Sequence, residues 1–234
     1  MTDGEAVAFA GGEWMRILVI GDAHGDFGAV HRARRRFAPD LLLCCGDWGD
    51  PAEAGETDFA PLLAAVRLHT TYGNHDPLEL LPRLQNRDGS AAWIRNGDCV
   101  ELEGLRIGAI GGIWAKSRKK PYYVTDADVA EFAARIASRG PVDILLTHGC
   151  PIGLADLTPT GRHGGQRCFL EAFKTIAPRL HFCGHLHRAQ ERTLKSEARV
   201  VNVGSIHQGD AAVVEYDPRT RSLEARLVDA SVAD

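Results

Sequence analysis

Residues 17–25 read Ile-Leu-Val-Ile-Gly-Asp-Ala-His-Gly. Four consecutive apolar residues, three of them β-branched, form the short continuous run expected of a strand buried on both faces. A glycine and a pair of polar residues follow at once. The same unit recurs four times. Leu41–Cys45 leads into Gly46-Asp47-Trp48-Gly49-Asp50, Leu68–Tyr72 into Gly73-Asn74-His75-Asp76, and Leu180–Cys183 into Gly184-His185-Leu186-His187. Val142–Thr147 ends in Thr147-His148-Gly149.

Helical stretches separate the early strands. Phe27–Phe37 carries Val30, Ala33 and Phe37 on one face and an arginine run (Arg32, Arg34, Arg35, Arg36) mostly on the other. Phe59–Val66, Asp126–Ala137 and Arg167–Ile176 also read as helices. Pro77–Gln85 is expected to be a helix with proline in its first turn, where the missing N–H costs nothing. Ala91–Ile94, Cys99–Leu102 and Leu105–Ile110 read as successive antiparallel strands, turning at Asn96-Gly97 and Glu103-Gly104. The tail (Gln190–Leu194, Arg199–Val203, Ala211–Tyr216, Ser222–Val228) is short strands separated by turn residues. Early βα alternation with a β-rich second half predicts one α/β domain, residues 15–230, built on a mixed double sheet. Residues 1–14 are small, acidic and glycine-rich, and are expected to be a flexible leader, with Met15 an alternative start.

Composition bounds the function. Of 234 residues, 44% are hydrophobic and 25% charged, the balance of an ordinary globular protein. No apolar run approaches the roughly 18–20 residues a bilayer span needs. A formal net charge of −4 argues against a general nucleic-acid or anionic-membrane binder. The six cysteines form no CxxC and no framework spacing, so they read as reduced core residues of a cytoplasmic protein. The N-terminus lacks the basic n-region of a signal peptide.

Ten histidines are many, and half of them lie in the five polar patches. In open α/β sheets ligands bind beyond the carboxyl ends of the strands. That rule gathers Asp22, His24, Asp47, Asn74, His75, His148, His185 and His187 around one pocket. Asp22/His24 and His185/His187 are spaced i, i+2, which puts each pair on one side of an extended chain. A lone histidine at a strand end is ordinarily just a polar loop residue. Five metal-competent patches at five strand ends are not. Oxygen and imidazole donors without thiolate suit Mn²⁺, Fe or Zn²⁺. Seven ligands exceed one ion's needs and suit two ions about 3.5–4 Å apart sharing a carboxylate.

In chain order the motifs D-x-H, G-D-x-x-D, G-N-H-D, T-H-G and G-H-x-H resemble those of the calcineurin-like metallophosphoesterase superfamily, from Ile17 to about Ser205. The resemblance implies a four-layer α/β/β/α double-sheet sandwich. It implies one metal on Asp22, His24, Asp47 and His187 and a second on Asp47, Asn74, His148 and His185, with Asp47 bridging. His75 would face the phosphate, with Asp50 rather than Asp76 as its acidic partner. The chemistry implied is hydrolysis of a phosphate ester. Two cations would lower the pKa of a water held between them, giving hydroxide, and neutralise charge on the phosphoryl oxygens, while His75 serves the leaving group.

Asp50 is followed by Pro51-Ala52, and His75 by Asp76, where the superfamily's protein phosphatases carry Arg-Gly and Glu. These departures favour a phosphodiesterase, nuclease or nucleotide-directed branch. A small-molecule phosphomonoesterase is the alternative, and a non-catalytic metal-binding scaffold on the same fold a further one. Lys116-Ser117-Arg118-Lys119-Lys120-Pro121-Tyr122-Tyr123 interleaves cations and aromatics, as in segments that hold a nucleotide or single strand by phosphate contact and stacking. Lys116 and Arg118 are therefore candidate substrate contacts, as are Arg162 and His163 in the loop after the His148 motif. A solvated basic loop and a plain connection are the ordinary readings of these two segments.

Overall fold

The computed structural model describes residues 14–231. The expected leader falls almost wholly outside them. Five strands form one sheet: β1 (Met15–Ile20), β2 (Leu41–Cys44), β3 (Arg67–Thr70), β12 (Asp210–Asp217) and β13 (Ser222–Asp229), in the order β13-β12-β1-β2-β3. Six form a second: β4 (Cys99–Leu102), β5 (Leu105–Ile110), β8 (Ile144–Thr147), β9 (Leu180–Cys183), β10 (Ala189–Thr193) and β11 (Arg199–Val203), in the order β10-β11-β9-β8-β5-β4. A two-stranded parallel pair, β6 (Ile113–Trp114) and β7 (Tyr123–Val124), lies apart from both. The helices are α1 (Phe27–Phe37), α2 (Glu56–Ala65), α3 (Asp126–Ala137) and α4 (Arg167–Ile176).

Strand alternation builds the layers. In β1, Ile17 and Val19 enter a core shared with Ile107, Leu146, Phe182 and Val201 of the other sheet. Leu18 and Ile20 point the opposite way and pack with Val30 of α1 and Phe59 of α2. On the far side, Ile110 and Leu145 pack with Val129 of α3 and Phe169 of α4. Both faces of both sheets are thus covered, the four-layer α/β/β/α arrangement expected from the sequence. Each fully buried Leu or Ile in these layers contributes about 1.5–3 kcal/mol relative to exposure. Parallel pairing of β1 with β2 and β2 with β3, and of β5 with β8 and β8 with β9, aligns the carboxyl ends of these strands at one rim.

Two expected elements differ. Pro77–Gln85 is no helix but turns with a single 3-10 turn at Leu81–Arg83. Pro82 lacks the N–H an α-helix needs there, and Leu81 and Leu84 are buried without regular helix. Ala91–Ile94 is not a strand either. Its backbone makes two bonds to Thr70, from Thr70 N–H to Ala92 O (2.8 Å) and from Ile94 N–H to Thr70 O (2.9 Å).

Candidate metal centre

All five polar patches open on the shared rim. The first sheet supplies Asp22, His24, Asp47 and Asn74, and the second His148, His185 and His187. Asp22, His24 and His187 present donor atoms within 4.8 Å of one another, and so do Asp47, His148 and His185. Asp47 lies between the two groups. Its Oδ2 is 4.0 Å from His24 Nε2 and 3.4 Å from His148 Nε2. In the first group, Asp22 Oδ1 is 3.0 Å from His187 Nε2, and the Nε2 atoms of His24 and His187 are 3.1 Å apart. Two imidazole nitrogens that close need a proton or a cation between them.

The route to convergence differs from an extended chain. Asp22, His24, Asp47, His185 and His187 all have left-handed backbones, with φ of 54°, 46°, 60°, 69° and 49°. Non-glycine residues carry strain there, of order 1–3 kcal/mol each, unless the surroundings hold them. The surroundings do. His185 N–H donates to both carboxylate oxygens of Asp22 (3.1 and 3.0 Å), and Ser205 Oγ–H donates to Asp22 O (2.6 Å). Asn202 Nδ2–H reaches Gly184 O (3.2 Å). The buried Asp76 carboxylate accepts the N–H groups of Asp47 (2.7 Å), Trp48 (2.9 Å) and Gly73 (2.6 Å), tying two motif loops together. Burial, then the charge of Asp47, pushes the Asp76 carboxyl up to about 7.

The donor set fits a pair of divalent cations. Asn74 Oδ1 and His148 Nε2 are buried without a hydrogen-bond partner, although such atoms are costly to leave unpaired. His148 donates its other nitrogen, Nδ1–H, to Cys45 O (2.9 Å), which aims Nε2 into the site. Burial drives the His148 imidazole down, yet the Asp47, Asp22 and Asp76 carboxylates outweigh it and bring it up to about 10. The cradle therefore attracts positive charge. Asp47 itself, despite burial, is held well below the usual carboxylate range by His148 and the His75 N–H. Burial and the charge of His148 bring His185 down to about 4. Gly73 is glycine because a Cβ there would stand 2.2 Å from Asp47 Oδ1 and 2.5 Å from His148 Cε1. At Gly184 it would meet Asp22 Oδ2 at 2.4 Å.

His148 and Asp47 are enclosed, whereas His24 and His187 remain partly open to solvent. His75 stands at this open side, its ring centroid 5.3 Å from that of His24. Its N–H donates to Asp47 Oδ1 (2.7 Å), and its Nδ1–H to Asp50 Oδ1 (3.0 Å). Asp76, spent on backbone N–H groups, has no part in orienting the ring.

The other sequence candidates are not members of the two donor groups. Arg118 is taken up by Asp128, bonded from Nε (2.9 Å) and from NH2, within the capping box of α3. Lys116 is exposed on the loop between β6 and β7, where Lys120 Nζ lies 5.4 Å from the Tyr122 ring centroid and 5.9 Å from that of Tyr123. Arg162 is exposed, and the imidazole of His163 pairs with Asp156 (2.8 Å). Sequence reasoning gave no part to Asp76 in holding the loops. Three residues from Gly73 in a buried loop, it could have been found as a carboxylate near backbone N–H groups lacking strand partners.

The calcineurin-like phosphoesterase family matches residues 15–189, which includes every residue of both donor groups. A lariat debranching enzyme of Caenorhabditis briggsae is 22% identical over 235 aligned residues, 74% of this chain and 46% of the relative. The chain spans about half the length of the curated relatives it matches. Among solved structures, the protein TT1561 of Thermus thermophilus superposes with a TM-score of 0.66 at 17% identity, covering 91% of this chain and 98% of the other. A dimetal phosphatase from Danio rerio gives 0.57 at 14% identity, covering 94% and 100%. These likenesses are of fold. With a match across most of its length and the full set of donors in place at the rim, the chain belongs to the calcineurin-like phosphoesterase family.

Proposed function

We propose that this chain hydrolyses phosphodiesters, directed to nucleotides or nucleic acid, with two divalent cations, Mn²⁺ or Fe and alternatively Zn²⁺. Asp22, His24, Asp47 and His187 would hold one cation, and Asp47, Asn74, His148 and His185 the other. Bound there, two cations supply a nucleophile at neutral pH and neutralise charge developing on the phosphoryl oxygens.

The chain's own residues do the rest. Asp47 and Asp22 set the charge of the cradle, and Asp76 fixes the backbone of Asp47. His75 stands at the open side with its side chain 45% exposed. Asp50 accepts from Nδ1–H and orients the ring, so that the protonated imidazole can give a proton from Nε2 to the departing oxygen. Lys116 and Arg162 are proposed as outer phosphate contacts.

The observation that carries the reading is Asp47 Oδ2 placed between the two donor groups, with His75 on its Oδ1 side. The relatives described as lariat debranching enzymes favour a diester over a monoester. Among the described residues no helix is long and apolar enough to cross a membrane. Six unpaired cysteines, five of them buried, support the proposal of a reducing, cytoplasmic setting. The test is turnover of bis(p-nitrophenyl) phosphate against p-nitrophenyl phosphate with Mn²⁺, with and without chelator. Preferred, chelator-sensitive cleavage of the diester is expected. Preference for the monoester indicates a phosphomonoesterase, and no turnover of either by metal-loaded protein sinks the enzyme reading.

A further inference from the structure

His163 sits on a small hairpin that rises from the rim after β8. Leu157 and His163 pair across it, and Arg162 O accepts the Thr158 N–H (2.8 Å). The hairpin is fastened to the strand that leaves His187. Gln190 bonds both backbone groups of Leu157, accepting at 3.0 Å and donating at 2.8 Å, and Arg188 donates to Thr158 O (3.0 Å). At its base, a Cβ on Gly164 would stand 2.8 Å from the side chain of Leu186, the residue between His185 and His187. His163 is therefore carried on a hairpin whose base packs against the loop that bears His185 and His187.

Within that hairpin lies a buried carboxylate. Asp156 is 1% exposed, and accepts from Gly165 N–H (3.1 Å) and from His163 Nδ1–H (2.8 Å). Burying a carboxylate is costly, and the hairpin is already closed by backbone and Gln190 bonds. What Asp156 adds is orientation. It fixes the ring of His163, whose side chain is 57% exposed. An imidazole giving Nδ1–H to a carboxylate can offer a second N–H only as the imidazolium, so an anion at Nε2 would meet a cation.

The strand order sets the direction. The hairpin is clamped to β10, at one end of the sheet, while the basic loop leaves the end of β5 on the other side of β8 and β9. Gly112 N–H fastens that loop's start to Tyr72 O (2.7 Å). Exposed Lys116 and Lys119 thus stand on one side of the His148 and His185 patches, and the exposed imidazole of His163 on the other. A chain of phosphates laid across the patches would meet both. We propose that His163, positioned by Asp156, binds a non-scissile phosphate of a single-stranded polynucleotide lying across the centre. The inference rests on the diesterase reading of the same site.

The test is anisotropy of a fluorescein-labelled single-stranded RNA oligonucleotide with phosphorothioate linkages and the whole Mn²⁺-loaded protein, the sulfur substitution slowing turnover so that binding is read alone. Glutamine can still donate to Asp156 but carries no charge. His163→Gln is expected to bind about tenfold more weakly, the loss of one charged hydrogen bond. Its plot of log affinity against log salt should be shallower by about 0.7. His163→Arg should restore the slope. Should His163→Gln fail to fold, His163→Asn carries the same test. Wild-type affinity and slope in the Gln protein overturn the inference, because a purely structural pair would behave so. RNA binding absent while bis(p-nitrophenyl) phosphate is still cleaved overturns it alone. RNA binding weakened in His163→Gln but without any turnover by the parent overturns the diesterase reading and leaves only the phosphate contact of His163 standing.

Discussion

The carboxylate of Asp76 accepts the backbone N–H of Asp47 at 2.7 Å, so the carboxylate that stands between His24 and His148 is held by a neighbour outside both donor groups. The same carboxylate takes the N–H groups of Trp48 and Gly73. Asp76→Ala leaves three buried donors unpaired. A loss of about 3 kcal/mol is expected from the cost of such orphans, read as a lower urea midpoint. Metal affinity should also fall about 10–100-fold, as for other residues that orient ligands, measured by competition with a chelating dye. Unchanged affinity would show that Asp47 holds its place unaided.

Gly73→Ala tests the cradle from the other side. The added methyl would lie 2.2 Å from Asp47 Oδ1 and 2.5 Å from His148 Cε1. One of the two must leave, and neither can without breaking up the second donor group. Elemental analysis of the purified variant is expected to show a loss of bound metal together with activity. Far-ultraviolet circular dichroism should stay that of the parent. Full metal content in the variant would mean the cradle is wider than described.

His75→Ala removes the imidazole but no proposed ligand. The expected outcome is a fall of about 10²–10⁴-fold in kcat, the usual contribution of a positioned acid or base, with metal content unchanged. Asp50→Asn keeps the shape and weakens the hydrogen bond that orients the ring, so a smaller loss is expected. Equal effects of the two substitutions would mean that Asp50 does more than orient the ring.

Acid sensitivity should be traceable to His181. It lies fully buried in β9, 2.8 Å from Thr147 Oγ1, with its ring stacked on Phe173. Burial brings its pKa from the ordinary 6.5 down to about 3. The unfolded chain therefore binds a proton that the folded one refuses. This contribution is fully favourable above pH 6.5 and is lost as pH falls from there toward about 3. Urea midpoints of the parent should drop over that window. His181→Gln should show a shallower drop, and an identical slope would assign the acid sensitivity elsewhere.

The layers were legible because alternation and continuous apolar runs survive in the sequence. Ile17 and Val19 face one core, and Leu18 and Ile20 another. The rim was legible because each motif follows a run too apolar to be anything but a strand. Other features depend on contacts between distant segments. The left-handed backbones of Asp22, His24, His185 and His187 are invisible in residues that are neither glycine nor asparagine. The pairing of Arg118 with Asp128 is set by how the basic loop folds back on α3. Pro77 looked like a helix start, and Pro82, five residues later, undoes it.

Each donor group draws on both sheets: Asp22 and His24 face His187, and Asp47 faces His148 and His185. A cation in either place would act as a rivet through the two leaves of the sandwich at the rim where the strands end. Sliding of one leaf over the other would then require breaking coordination rather than easing apolar contacts. Amide hydrogen exchange at the ends of β1, β2, β8 and β9 should accordingly slow when metal is added, well before the interior of the sandwich changes. The catalytic ions and the mechanical coupling of the two sheets would be one and the same feature.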